Sequence, residues 1–241
     1  METLALVTAR GGSKGLPRKN VVPFLGRPLI VWSIDAGRNA ERVTRVIVTT
    51  DDDEIAEVSR DGGAEVPFLR PPELAEDLTP DLPVFEHALG WLAEHEGYCP
   101  DLVVHLRPTS PLRPPGLVDD GIRALRADPV ADSLRVVCEA PANPFKMWRI
   151  FDDVLVPLVD IGMTEAYNRP RQELPSAYWQ IGLLDVIRPT TILEHHSMSG
   201  RRILPLVVDS ALAADIDDAP SLARAENLAR RLGLTDDAAS Q

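Results

Sequence analysis

Short apolar runs, each cut off by polar residues, punctuate the first half of this chain and restrict its fold more than any other feature. Leu4 to Val7, Val46 to Val48, Leu102 to Leu106 and Leu134 to Val137 are rich in Val, Leu and Ile. Such near-continuous runs fit strands buried on both faces, as in parallel sheets. Helical patterns fill the gaps at about Pro28 to Asn39, Asp53 to Asp61, Leu82 to Glu94 and Gly116 to Ala127. The alternation predicts an α/β fold with a doubly wound, mostly parallel sheet joined by right-handed crossovers. With 241 residues and 44% hydrophobic content, one domain can bury its own core. The first three runs lead into Arg10, into Thr49 to Asp52, and into Arg107, Thr109 and Ser110. Open parallel sheets bind ligands at that edge.

The loop after the first run reads ARGGSKGLPRKN. No acidic residue falls between Glu2 and Asp35, whereas Arg10, Lys14, Arg18, Lys19 and Arg27 all do, in a chain of formal net charge -12. A basic island in an acidic protein marks an anion site, and its place after a strand predicts a triphosphate cradle in which glycines let the backbone approach the oxygens. The spacing is neither a Walker A loop nor a dinucleotide fingerprint, because Arg10 stands where the first glycine of G-x-G-x-x-G belongs. The overall acidity argues against nucleic acid or a membrane surface as partner. Cys99 and Cys138 are isolated and read as reduced thiols, and the five histidines lack metal spacing. The opening apolar run is too short for a signal peptide and no run reaches membrane-spanning length, so a cytoplasmic protein is expected.

From Asn143 to about Pro205 the alternation breaks, with proline, aromatic and cationic residues crowding in. This segment reads as an excursion that closes over a substrate or pairs with a second subunit, so a homodimer is expected. A last helix spans about Pro220 to Leu232 with Leu222, Ala225, Leu228, Ala229 and Leu232 as its apolar stripe, and Asp218 is its cap by position. Asp53 and Glu54, acidic residues at the start of the second helix, are assigned to capping it, which leaves Asp51 and Asp52 as site candidates. Ser110 is a candidate cap for the helix after Pro114. The terminal TDDAASQ reads as disordered.

ARGGSKGLPRKN, TTDD, FLRPPELAED, LRPTSPLR, NRPRQELP, and DID before AENL occur in an order and spacing that resembles the acylneuraminate cytidylyltransferases, the CMP-sialic acid synthetase family. The resemblance runs from Leu4 to about Leu232. It implies a Rossmann-like fold of the nucleotide-diphospho-sugar transferase type, with CTP and an acidic sugar as substrates and Mg²⁺ as cofactor. On this likeness Arg10 and Lys19 hold phosphates with the backbone of Gly11, Gly12, Ser13 and Gly15. Asn20 and Arg70 meet base or ribose. Asp215 and Asp217 match the metal pair, and alternation in an extended segment would point both carboxylates one way while Ile216 packs inward. Arg10, Lys19 and Asp217 would carry catalysis. Arg107, Thr109, Ser110, Lys146, Arg171 and Gln180 would meet the sugar. Three departures concern the sugar end: Arg107 replaces a customary Gln, YWQIGLLDV replaces an NGAIY-type segment, and HHSMSGRR lacks an aromatic pair. A nucleotidyltransferase acting on a sugar 1-phosphate, or a silent sugar-nucleotide binding module, are the competing readings.

Overall fold

A computed structural model of the protein describes residues 1–234; the terminal stretch 235–241, read above as disordered, lies outside the described residues. In chain order the elements are β1 (Thr3–Thr8), β2 (Pro23–Phe24), β3 (Arg27–Pro28), α1 (Leu29–Arg38), β4 (Arg45–Thr49), α2 (Asp53–Asp61), α3 (Asp81–Glu96), β5 (Leu102–Leu106) and α4 (Leu117–Ala127). There follow β6 (Ser133–Glu139), β7 (Trp148–Phe151), β8 (Val154–Pro157), β9 (Tyr178–Ile187), α5 (Pro189–Leu193), β10 (Ile203–Val207) and α6 (Ala219–Arg231). The central sheet has six strands in the order β10-β6-β9-β5-β1-β4. β1 runs parallel to β4 and β5, and β10 parallel to β6, while β9 alone is antiparallel to its neighbours.

Both faces of the sheet are covered, as the apolar runs require. Ala5 and Val7 of β1 pack into the cluster that includes Ile30 and Ile34 of α1, whereas Leu4 and Leu6 join Phe85, Leu89 and Leu92 of α3 on the other face. Gly37 lets α1 lie close on the sheet, since a Cβ there would meet Val46 at 3.0 Å and Ala5 at 3.2 Å. A third cluster joins Phe24, Leu29, Leu112 and Ile216 to Ala225 and Ala229 of α6, which ties the end of the chain to the loops that follow β1 and β5.

Several local expectations change. Asp52, not Asp53 or Glu54, caps α2: its side chain accepts the Ile55 N–H at 3.0 Å. The N-cap of α4 is Gly116, whose φ of 80° suits glycine, and Ser110 is buried elsewhere. Asp218 caps α6 in a reciprocal box with Ser221, as its position predicts. The stretch read as leaving the sheet from Asn143 to Pro205 in part rejoins it. Tyr178–Ile187 enters as β9 between β5 and β6, and Ile203–Val207 forms the edge strand β10. Its buried half, IGLLDVI, is an apolar run interrupted by one glycine and one aspartate, which disguises a strand.

Candidate active site

A pocket of about 300 Å³ opens at the carboxyl ends of β1 and β5, where the strand order reverses direction. Arg10, Ser13, Lys19, Asn20, Arg70, Arg107 and Thr109 are among the residues lining it. The basic island has divided. Arg18 leaves the pocket to pair with Asp52 and Glu54, and Arg27 pairs with Asp35. The Arg18 guanidinium holds the Asp52 carboxyl below the usual carboxylate range. Asp52 therefore belongs to the scaffold.

The remaining cations are held in place around the cavity. Arg10 contacts Asp77 at 3.0 Å, and Lys14 pairs with the same carboxylate, so Asp77 bridges two cations of the loop. Asn20, 5% exposed, donates to the Arg10 carbonyl at 2.9 Å and so braces the strand exit. Arg70 is equally buried. Its guanidinium donates to the carbonyls of Thr49 and Leu74 at 3.1 and 3.3 Å, and burial lowers its pKa, with the Asp51 charge acting the other way. Among the described residues it has no carboxylate within ion-pair distance.

The glycine loop is cradle-like in part. Gly11 spends its N–H on Asp51 at 3.0 Å, so this amide serves the loop rather than a ligand. A Cβ on Gly12 would meet nothing within 4 Å, which leaves that backbone open. Gly15 is needed for close approach, because a Cβ there would lie 2.5 Å from the Asp217 carbonyl oxygen. Through this contact the loop meets the segment from Asp215 to Asp217. Ile216 is buried and donates its N–H to the Thr109 carbonyl at 2.9 Å, while Asp215 and Asp217 are exposed on either side of it. Asp217 Oδ1 sits 3.0 Å from Lys19 Nζ.

Asp215 and Asp217, both exposed and neither among the residues lining the pocket, would supply the one or two carboxylates that Mg²⁺ takes from protein, with phosphate and water supplying the rest. Among the described residues no cluster of three or more His, Cys, Asp or Glu has the geometry to hold a metal by protein ligands alone. No histidine lines the pocket. His105 lies behind its floor, wholly buried, with Nε2 3.1 Å from Thr8 Oγ1, and burial holds its pKa well below the ordinary value.

The expected sugar contacts separate into two groups. Arg107 and Thr109 line the pocket, whereas Ser110, Lys146, Arg171 and Gln180 do not. Ser110 is buried against Gly182. Gln180 accepts a hydrogen bond from Arg135, and Lys146 is exposed in a turn after β6. Arg171 donates to Glu139 and to the Ala140 carbonyl, both at 3.0 Å, in a second pocket beside Asn143 and Gln172. Of the four only Gln180 lies on β9, where it pairs with Val137 of β6. Asp77, Asp81 and Asp185 were not singled out from sequence. Asp185 left a signal, a charge inside the apolar run GLLDVI, which calls for a buried partner.

Similar proteins agree with this architecture. A profile of the cytidylyltransferase family matches residues 4–153. The CMP-N,N'-diacetyllegionaminic acid synthase of Campylobacter jejuni is 32% identical over 217 residues, 90% of each chain. The pseudaminic acid cytidylyltransferase of the same species is 39% identical over 112 residues, 46% of this chain and 48% of that one. The Escherichia coli N-acylneuraminate cytidylyltransferase is 29% identical over 221 residues, 89% of this chain and 49% of that protein. The chain thus spans about half the length of some curated relatives and nearly all of another. The solved CMP:2-keto-3-deoxy-manno-octonic acid synthetase in complex with CTP shares the fold, with a TM-score of 0.70 at 16% identity over 96% of this chain and all of that one. With a cation-lined pocket at the reversal point of a mostly parallel sheet, and a family profile that covers more than half its length, the chain belongs to the cytidylyltransferase family of nucleotidyltransferases.

Proposed function

We propose that this protein transfers the CMP group of CTP to the anomeric hydroxyl of an acidic nine-carbon sugar, a nonulosonate, and releases pyrophosphate. The observation that carries the reading is the pocket itself: Arg10, Lys19, Asn20 and Arg70 gathered around one cavity with Asp217 beside Lys19, in a chain aligned with a legionaminic acid relative over nine-tenths of its length. The sugar oxygen forms a bond to the α-phosphorus, the bond from that phosphorus to the bridging oxygen of pyrophosphate breaks, and the hydroxyl proton passes to solvent. Arg10 and Lys19 meet the charge that develops on the phosphoryl oxygens and the leaving group. The open backbone at Gly12 lets the loop follow the phosphate chain. Asn20, on the Arg10 carbonyl, and Arg70, on the Thr49 carbonyl at the end of β4, hold the nucleoside. Asp215 and Asp217 would hold Mg²⁺, which when bound neutralises phosphate charge.

The acceptor's carboxylate suits Arg171 or Lys146, and in this reading a second copy of the chain brings them to the pocket. The hairpin of β7 and β8 supports that arrangement. Ile150, Phe151, Val154 and Leu155 are 58–75% exposed, with Trp148 and Leu158 beside them, an apolar surface of the kind that association covers. Pyrophosphate release, measured with Mg²⁺ for each of the four nucleoside triphosphates against nonulosonates and hexosamine 1-phosphates, tests the reaction. Release with CTP and a nonulosonate is expected. Release only with a sugar phosphate would overturn the acceptor assignment, and a monomeric mass by light scattering would overturn the dimer.

A further inference from the structure

Beyond the phosphate chemistry, the pocket contains a set of charges at its β5 and β9 side, where Asp81 also acts on the charge of Arg70. The Arg107 guanidinium donates through Nη1 to Asp185 Oδ2 at 2.8 Å and through Nη2 to Asp81 Oδ2 at 3.2 Å. Asp185 is 1% exposed and stands on β9 in register with His105 of β5. His105 Nδ1 lies 3.9 Å from Asp81 and 4.0 Å from Asp185, without a hydrogen-bond partner among the described residues. Burial keeps this imidazole neutral, so it adds no positive charge to the group. Burial also disfavours the charged form of Arg107, but Asp185 and Asp81 outweigh it and raise the pKa.

One guanidinium therefore faces two carboxylates. A lone arginine on a pocket wall would attract a second anionic group on the acceptor; this one is already compensated, by buried Asp185 and by an Asp81 that it shares with Arg70. Asp185, buried, fixes the guanidinium, whereas Asp81, 42% exposed at its side chain, lines the cavity together with Arg107. Arg107 retains N–H donors beyond the two it spends here, and the Asp81 carboxylate retains acceptor capacity. Together they offer a donor and an acceptor side by side, which suits hydroxyl and acylamino groups. A carboxylate at this wall repels phosphate.

We propose that Asp81, paired with an Arg107 positioned by Asp185, determines acceptor specificity: the pair reads neutral polar substituents of the sugar and rejects an acceptor with a second anionic group. This rests on the nonulosonate reading above.

The test compares N-acetylneuraminate or N,N'-diacetyllegionaminate, whichever the wild type converts with CTP, against its 9-phosphate. The wild type is expected to favour the unphosphorylated acid. Asp81→Asn is expected to raise the KM for that acid about tenfold and to narrow the discrimination against the phosphate ester by a similar factor, without moving the CTP KM. Arg107→Gln should raise the acceptor KM with no gain for the ester. Asp81 also lies in the first turn of α3, so circular dichroism is recorded for each variant; a purely structural role would shift both substrates together. If Asp81→Asn leaves acceptor KM and discrimination unchanged, or raises the KM for CTP equally, the proposal is overturned while wild-type turnover upholds the reaction. No CMP-sugar from either acid overturns both.

Discussion

The pocket between β1 and β5 and the hairpin of β7 and β8 stand at opposite extremes of completeness. In the pocket nearly every polar group has an intramolecular brace: Asn20 on the Arg10 carbonyl, Arg70 on two carbonyls, Gly11 on Asp51, Arg107 on two aspartates. In the hairpin, Ile150 is 75% and Phe151 67% exposed, and each of the eight strand residues is exposed or half-buried. An isolated two-stranded hairpin is marginal in water, so this one gains its stability from what it packs against. The contrast teaches that the cation-lined pocket is braced within one chain, while the residues expected for the sugar carboxylate sit apart from it, in the part of the chain that includes an exposed apolar hairpin.

Four substitutions break or sharpen that contrast, from the largest expected effect down. Lys19→Ala should lower turnover by about 10²–10³-fold, the scale of removing one preorganised charge donor. The fold should hold, because its partner Asp217 is 74% exposed and such pairs contribute about 1 kcal/mol or less. Steady-state kinetics beside a denaturant melt separates the two; unfolding would make the preorganised end merely structural.

Gly15→Ala probes the same end without removing any charge. Its Cβ would fall 2.5 Å from the Asp217 carbonyl, backbone against backbone, so the loop or the Asp217 segment must shift. A loss of roughly tenfold to a hundredfold in kcat/KM is expected from misplacement alone. Wild-type activity would mean the contact relaxes freely.

Phe151→Glu tests the unfinished region. Placing a charge on the exposed apolar hairpin should halve the mass measured by light scattering and raise the acceptor KM more than the CTP KM, with an association penalty of about 2 kcal/mol or more. An unchanged mass would remove the hairpin from the proposed dimer.

The smallest effect is a matter of pH. His105 is buried with its pKa depressed by desolvation and by Arg107, Arg113 and Arg135, whereas in the unfolded chain it titrates near its ordinary value of about 6.5. Below that value the unfolded state takes up a proton that the folded state refuses, so stability falls as pH falls from about 6.5. His105→Gln should flatten this slope by up to one proton, read from urea denaturation between pH 7.5 and 5.5. An equal slope in both proteins would assign the acid sensitivity to other groups.

Much of the scaffold was legible because its signals are local. α2 was expected at Asp53–Asp61 and is found there, β5 was expected at Leu102–Leu106 and is found there, and Asp218 caps α6. Burial on both faces leaves a run of Val, Leu and Ile in the sequence whatever the partner strands are. β9 escaped because its first three residues are exposed and its buried half contains Gly182 and Asp185, so neither a continuous run nor an alternation stands out. The site was legible in kind but not in partition. Five cations in one stretch announced an anion, yet nothing in the stretch distinguished Arg10 and Lys19, which face the cavity, from Arg18, which neutralises the cap of α2.

The sequence by itself determined the α/β class, the strand exits where polar residues gather and the loop that meets an anion, since each depends on periodicity or on neighbours a few residues apart. Tertiary structure decided which charges remain available. Arg107 and Asp185 are 78 positions apart, Lys19 and Asp217 are 198 apart, and Arg10 meets Asp77 across the mouth of the pocket. A charge acts through space, with a strength set by distance and burial, and only the packing of strands and loops fixes either.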